Sequence, residues 1–414
     1  MGTVLLMSSL DTRPRETFYA KSLIEHNGCK VVLMDISMGS YTECGAEYSC
    51  IDVAKEAGVS FEQVSGRKGT ADNMSVMIKG ASRIVRNLYD QGLIDCIAGL
   101  GGASNTTAFS QIMRTLTFGF PKLILSSSAA MPAYAGAYYG YKDIAIFHSC
   151  FDINGLNEFV KDVIRRFAGM VVGVLGVEKM QHLGRGKDIA LSEFQFAEAC
   201  ARKVMKTLES NGLQVIPFHA QGVGDRIMDE MIGDGLFGGA LDIVPAGLSE
   251  AIVGGNRSAG LDRLDKEMAS GIPVIFTPAG FDLFSCGPYE RRLTDLLWSK
   301  KKIEKRKLYV QDQLRVQART NKQEMETIGR TFSEKLNKAK GRVVVFVPLR
   351  GFSSLSIEGG PLHDPESDSA LIRSLKKYLN GDVVQLIEMD CAYCDDIFAE
   401  AIADRFLGLM EGSA

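Results

Sequence analysis

Two stretches of this chain combine glycine, hydroxyl and basic side chains in patterns suited to holding a negatively charged ligand. The first is Gly99-Leu100-Gly101-Gly102-Ala103-Ser104-Asn105-Thr106-Thr107, which follows an apolar run and opens a helical one. Glycine lets the backbone approach a ligand closely, and a helix N-terminus presents N–H groups with no partner inside the helix. Ser104, Asn105 and Thr106 add side-chain donors. The same residues serve equally well as a tight strand-to-helix turn with an N-cap. Their spacing is neither a P-loop nor a full GxGxxG fingerprint. The second stretch is Ser9-Leu10-Asp11-Thr12-Arg13-Pro14-Arg15-Glu16. Thr12 can cap a helix and face an anion, and Arg13 and Arg15 can pair with phosphate or carboxylate. A capped helix with surface arginines reads the same. Asp35, at the end of the next apolar run, suits either a ribose hydroxyl or a turn cap. The small-residue loop Ser126–Ala130, with Ser127 in it, is either a ligand seat or a plain turn.

The second half of the chain offers groups for acid–base chemistry. His219-Ala220-Gln221-Gly222-Val223-Gly224-Asp225 ends one apolar run and opens a helix. His219 suits proton transfer or the anchoring of a loop. Asp242, Glu250, Asp282, His363 and Asp364 are further acid–base or metal-binding candidates, and His219, Glu250, His363 and Asp364 make the best catalytic set. Linear separation does not show whether they converge. The sequence has no HExxH, no GxSxG and no Cys/His cluster at metal-ligand spacing.

The elements that must position these residues alternate between short apolar strands, Gly or polar turns, and amphipathic helices. That rhythm predicts βαβ units with parallel sheets. Strands are expected at Thr3–Ser8, Lys30–Ile36, Ile94–Leu100, Lys122–Leu125 and Asp143–Phe147. Helices are expected from Pro14 to His26, over Ala71–Tyr89 and over Asn154–Val177, with loop from Ser37 to about Thr70. After a polar linker at Glu178–Lys187 the alternation restarts and runs to a last helix over Asp395–Leu409. This predicts an α/β protein of two Rossmann-like domains, residues 1–180 and 187–414.

Composition narrows the partners. A formal net charge of −3 with mixed signs along 414 residues disfavours an extended nucleic-acid surface. The basic run Lys300–Lys307 reads as a solvated face. The apolar run Ala168–Val177 is too short to span a bilayer, and no signal-peptide pattern follows Met1. Nine cysteines, an odd number, fit reduced thiols in a cytoplasmic protein. Cys391 and Cys394 have CxxC spacing but no second pair, and read as ordinary thiols.

Several ordered stretches carry a family resemblance: Leu10-Asp11-Thr12; Gly99-Leu100-Gly101-Gly102; Phe218-His219-Ala220 with Gly222 and Gly224; Gly254-Gly255; Pro348-Leu349-Arg350-Gly351; and Gly360-Pro361 with His363-Asp364-Pro365. Over nearly its whole length the chain resembles the ATP-binding domain family typified by the inhibitory domain of the tomato mosaic virus resistance protein. The resemblance implies two Rossmann-like domains, a homodimer, and ATP with magnesium at loops of this kind. Gly101, Gly102, Ser104, Asn105 and Thr106 would then cradle phosphate. Asp11, Thr12, Arg13, Asp35 and Ser127 would assist from neighbouring loops. Where the family's loop usually reads Gly-Gly-Ser-Gly-Gly-Thr, this chain has Gly101-Gly102-Ala103-Ser104-Asn105-Thr106. The cradle is therefore smaller, and another nucleotide or anionic metabolite is an alternative ligand. Two other readings stand beside nucleotide binding: a small-molecule enzyme with its active site between the domains, and a nucleotide-regulated module that binds a protein partner.

Overall fold

Val4-Leu5-Leu6-Met7 is apolar at every position, the mark of a strand buried on both faces. In the computed structural model, which describes residues 2–41, 43, 45–65, 71–178 and 188–412, this run is the core of β1 (Thr3–Ser8). The chain divides into two compact units, Met1–Met180 and Gln181–Ala414. From residue 179 onward the expected linker Glu178–Lys187 lies outside the described residues.

In the first unit, α1 (Pro14–His26) starts with proline, whose missing N–H costs nothing in the first turn. It ends at Asn27-Gly28, where Gly28 has φ 81°. β2 (Lys30–Asp35) follows. The next stretch, expected as loop, contains α2 (Cys50–Ala57) and α3 (Phe61–Ser65). A reciprocal capping box between Ser49 and Asp52 starts α2, and left-handed Gly58 stops it. Then come α4 (Ala71–Asp90), β3 (Cys96–Gly101), α5 (Ala103–Met113), β4 (Lys122–Ser126), α6 (Pro132–Tyr139) and β5 (Ala145–His148). The last helix, α7 (Glu158–Leu175), begins four residues later than expected because the Asn157 side chain caps it by accepting the Val160 N–H.

The five strands pair in parallel in the order β2-β1-β3-β4-β5. Val4 and Leu6 pack on one face with Ala20, Ile24, Ile164 and Phe167 of α1 and α7. Leu5 and Met7 pack on the other with Val53, Val85 and Phe109 of α2, α4 and α5. Each such side chain, fully buried, contributes roughly 1.5–3 kcal/mol. β1 lies inside the sheet with β2 on one side and β3 on the other. The chain direction across the sheet therefore reverses between β1 and β3, and a crevice opens at their carboxyl ends.

The second unit repeats the plan: β6 (Asp188–Glu193), α8 (Glu198–Ser210), β7 (Gln214–His219), α9 (Val223–Gly233), β8 (Gly239–Asp242), α10 (Ala246–Val253), α11 (Asp265–Ser270) and β9 (Val274–Phe276). It continues with β10 (Leu283–Ser285), α12 (Leu296–Lys300), β11 (Leu308–Val310), β12 (Val316–Arg319), α13 (Lys322–Leu336), β13 (Val343–Pro348), α14 (Pro365–Tyr378), β14 (Val384–Met389) and α15 (Asp396–Glu411). Six strands form a parallel sheet in the order β14-β13-β9-β8-β6-β7. β10, β12 and β11 form a separate antiparallel sheet with no counterpart in the sequence reading. Both units are Rossmann-like α/β folds. No helix among the described residues is long and apolar enough to cross a membrane.

At the carboxyl end of β8 lies a buried cage of charges. Arg263 is fully buried. Its Nη2 stands 2.5 Å from Asp242 Oδ2, and its Nη1 stands 3.1 Å from Glu267 Oε2 and 3.6 Å from Asp229 Oδ1. Asp225, also fully buried, belongs to the same group. Burial alone would lower the arginine's pKa, but the surrounding carboxylates outweigh it and hold the guanidinium charged. Burial away from water disfavours the charged form of a carboxylate. Burial pushes Glu267 well up and also raises Asp229. Asp225 is pushed up to about 6, by burial first. The Gly222 and Arg226 N–H groups lower it a little, yet neither carboxylate oxygen has a hydrogen bond of good geometry.

A pH dependence follows. The folded pKa of Asp225 lies above its ordinary value of 3.8, so its stabilising contribution is present at low pH and lost as pH rises through about 6. The loss amounts to about 3 kcal/mol at most, from the size of the shift. Asp225→Asn should therefore flatten the fall in stability between about pH 4 and pH 7, leaving a residue of slope from Asp229 and Glu267. Urea melts across that range test it, and identical slopes in the two proteins would contradict it.

Candidate functional site

The crevice between β1 and β3 holds a cavity of about 410 Å³. It is lined by Ser9, Asp11, Thr12 and Arg13 after β1, Met38 and Gly39 after β2, and Gly102–Asn105 after β3. Three connections converge here because their strands are neighbours in the sheet.

Asp35 holds two of these loops together from below. It is buried, and its Oδ1 accepts the Leu10 N–H at 3.1 Å, the Ser37 N–H at 2.9 Å and the Ser37 hydroxyl at 2.5 Å. The buried Cys50 thiol lies beside it, pushed up to about 12 by burial first and then by the Asp35 charge. The structure thus corrects the ribose-binding reading of Asp35, whose carboxylate faces protein and positions the loops. Asp11 is next in line. Its Oδ2 accepts the Gly39 N–H at 3.0 Å, while its Oδ1 is closed to solvent with no hydrogen-bond partner.

The glycine loop separates into two groups. Gly101 is buried, and a Cβ there would stand 2.5 Å from Asn105, so this glycine serves packing. Thr106 is also buried. Its hydroxyl lies 2.8 Å from the Gly102 carbonyl, to which it donates, and 2.7 Å from the Ser126 hydroxyl, so it ties the start of α5 to β4. Neither residue reaches the cavity, which corrects that part of the expected cradle. Asn105 is nearly buried and accepts the Ser9 hydroxyl at 2.9 Å, clasping the two loops together.

Gly102 behaves differently. Its φ of −91° is open to any residue, and a Cβ would meet only Arg13 Nη2 at 3.5 Å and Ser127 Oγ at 3.7 Å. The fold does not require glycine here, and its absent side chain leaves the space above α5 open. Gly102 is the N-cap of α5 and offers no side-chain cap. The N–H groups of Ala103, Ser104 and Asn105 begin that helix, and such groups have no partner within it. They favour an anion. Arg13 stands opposite. Its Nε donates to the Ile153 carbonyl at 2.9 Å and its Nη2 to Asp152 at 3.0 Å. The loop after β5 thereby fixes the guanidinium beside Gly102. Exposed Thr12 and Ser104 complete the rim, and the Ser127 hydroxyl faces Gly102 from the loop after β4. Met38 and Gly39 carried no motif in the sequence beyond a small turn after a strand. Asp152 and Ile153 carried none at all.

Two of the four acid–base candidates of the second unit, Glu250 and Asp364, are held by other groups. Glu250 is fully buried and accepts the Arg257 side chain at 2.7 Å and the Ser285 N–H at 2.8 Å. Arg257 in turn lies over the Phe194 ring. Asp364 is the N-cap of α14 and accepts the Ser367 N–H and hydroxyl. Burial alone would raise its pKa, but these donors hold it below the usual range. The backbone carbonyl of His363 accepts from Lys307. His219 is exposed at the end of the edge strand β7. No hydrogen bond, ion pair or ring contact among the described residues joins any two of His219, Glu250 and the His363–Asp364 pair. Glu250 and Asp364 are thus corrected to packing and capping roles. No group of three or more His, Cys, Asp or Glu among the described residues could hold a metal ion.

Comparison with known proteins covers both units. The N-terminal domain model of an uncharacterised protein family, UPF0261, matches residues 2–180, and the C-terminal domain model of that family matches residues 186–410. A UPF0261 protein of Clostridium tetani is 31% identical over 408 residues, spanning 99% of each chain. The ToMV resistance protein Tm-1 of Solanum lycopersicum is 29% identical over 365 residues, which is 87% of this chain but 47% of the tomato protein. A UDP-N-acetylglucosamine 2-epimerase from Rickettsia bellii aligns over 66% of this chain and 78% of that one, at 9% identity and a TM-score of 0.23, too slight a likeness to inform function. With both domains matched end to end, the chain belongs to the UPF0261 family.

Proposed function

We propose that the first unit binds a nucleotide through its phosphates, with ATP as the ligand, in the cavity between the loops after β1 and β3. The observation that carries this reading is Gly102, a glycine that the backbone does not need, set at the uncapped start of a helix and facing a fixed arginine. The N–H groups of Ala103, Ser104 and Asn105 would take phosphate oxygens, with Arg13 balancing their charge. The Asp11 carboxylate lines the same cavity and would hold a hydrated magnesium ion there. Magnesium keeps several waters and needs few protein ligands, so a single carboxylate suffices. When bound, the ion would offset phosphate charge beside Asp11. The alternative ligand, another small anionic metabolite, would use the same N–H groups.

Calorimetric titration with ATP and magnesium tests the reading. Saturable binding is expected, and Arg13→Ala should weaken it about tenfold, the effect of one charge-assisted hydrogen bond. No saturable heat with the native chain would remove the proposal.

A further inference from the structure

The basic run of the second unit is mostly exposed, and part of it lines a cavity. α12 ends at Lys300, and the chain then turns through Lys302, which has φ 51°, a conformation uncommon for a residue with a side chain. This turn lays Lys300, Lys301, Lys302 and Arg306 around a cavity of about 520 Å³, closed on its other side by the first turns of α13. A second cavity of about 420 Å³ follows between α13 and α14, lined by Arg330, Arg373 and Lys377. Gln323 and Thr327 line both cavities, so the two form one groove. The helices come close here because Gly329 faces Ser374, and a Cβ on the glycine would stand 2.8 Å from that side chain.

The groove concentrates positive charge in a chain whose net charge is −3. Its walls carry the seven basic side chains just named, against Glu324 and Glu326. Glu324 is already engaged by Arg306 at 2.6 Å, by Lys301 at 3.2 Å and by the Asn321 N–H at 3.0 Å. It holds those cations in place but neutralises only one unit of charge. Lys300, Lys302, Arg330 and Arg373 are exposed, and no ion pair engages them among the described residues. The N-terminus of α13 is closed by its Asn321–Glu324 capping box, so the side chains and not the helix end supply the field.

We propose that this groove binds a small molecule carrying two or more phosphate groups. From Gln323 to Arg330 the helix rises roughly 10 Å. One phosphate cannot engage both ends, whereas a linear polyphosphate or a bisphosphorylated metabolite can. Arginine forks match phosphate oxygens, and concave cavities of a few hundred Å³ fit a small ligand. A single strand of nucleic acid is less suited. Such strands are held on rows of exposed aromatic rings, whereas the one ring lining these cavities is Tyr378, with Lys377 over it.

The test uses the full chain carrying Gly102→Val, so that the cavity of the first unit is blocked. Inorganic tripolyphosphate and orthophosphate are titrated calorimetrically. Tripolyphosphate should bind at least tenfold more tightly than orthophosphate, and its affinity should fall steeply with added salt. Lys300→Ala with Lys302→Ala, and separately Arg330→Ala with Arg373→Ala, should each weaken it tenfold or more. Melting temperatures should not change, since these side chains are exposed and unpaired. The proposal is overturned if tripolyphosphate gives no saturable heat, if it binds no tighter than orthophosphate, or if both double variants bind like the parent. It is also overturned if an oligonucleotide, and not tripolyphosphate, binds through these side chains. Failure of ATP to bind the native first unit would leave this result standing.

Discussion

Arg263→Met should unfold the second unit under conditions in which the native chain is stable. The guanidinium contacts Asp242, Asp229 and Glu267 directly, and its field also reaches Asp225. Methionine nearly preserves the side chain's length and apolar stem but leaves four acids facing one another in a dry site. Removing one partner from a buried ion pair typically costs about 3–5 kcal/mol. That is a large part of the roughly 5–15 kcal/mol by which a folded domain exceeds its unfolded state. The remaining acids would respond by taking up further protons, so the variant should be less damaged at acidic pH than at neutral pH. Adding Asp225→Asn and Asp242→Asn should recover part of the loss. Urea unfolding followed by circular dichroism measures all three proteins, and a loss below about 1 kcal/mol for Arg263→Met at neutral pH would show that the cage is not the unit's electrostatic keystone.

Gly102→Val should abolish nucleotide binding while leaving the fold intact. At φ −91° a valine is unstrained, and its Cβ would meet only Arg13 Nη2 at 3.5 Å and Ser127 Oγ at 3.7 Å. The methyl groups would occupy the space where phosphate must approach the Ala103–Asn105 N–H groups. Losing two or more charge-assisted hydrogen bonds, each worth roughly 1.5–3 kcal/mol, predicts at least a hundredfold weaker affinity for ATP. Gly101→Ala is the contrasting control. Its Cβ would stand 2.5 Å from the Asn105 side chain, so it should lower the melting temperature. Calorimetric titration and thermal melts on the same samples separate the two effects. A Gly102→Val protein that binds ATP as well as the native chain would rule out this cavity as the phosphate seat.

Much of the fold is legible along the chain because its signals are local. Val4–Met7 reads as a doubly buried strand. Pro14 and Asn27-Gly28 bound the first helix, and the structure places its ends at Pro14 and His26. The second helix of the first unit was equally signalled, by Ser49 with Asp52 and by Gly58, but the polar run around it masked its short apolar stripe. The three short strands of the antiparallel sheet, at most four residues each, are too brief for a period to emerge. β11 and β12 form a short hairpin, and only pairing with the distant β10 completes the sheet.

The site residues divide along the same line. The sequence by itself determined that a glycine turn and a hydroxyl- and arginine-bearing turn each follow a strand and open a helix. Only the tertiary structure decided which members of those turns face a ligand. The order β2-β1-β3 sets Gly102 beside Arg13, while Gly101 and Thr106, one residue before the cap and one turn beyond it, point into packing. Glu250 and Asp364 looked like reactive acids until the fold supplied Arg257 and Ser367 to occupy them. The basic residues from 300 to 377 became a groove only when α13 and α14 packed together. Strand and helix propensities act over a few neighbouring residues, whereas charge balance, burial and the direction of a side chain depend on groups that the chain brings together from far apart.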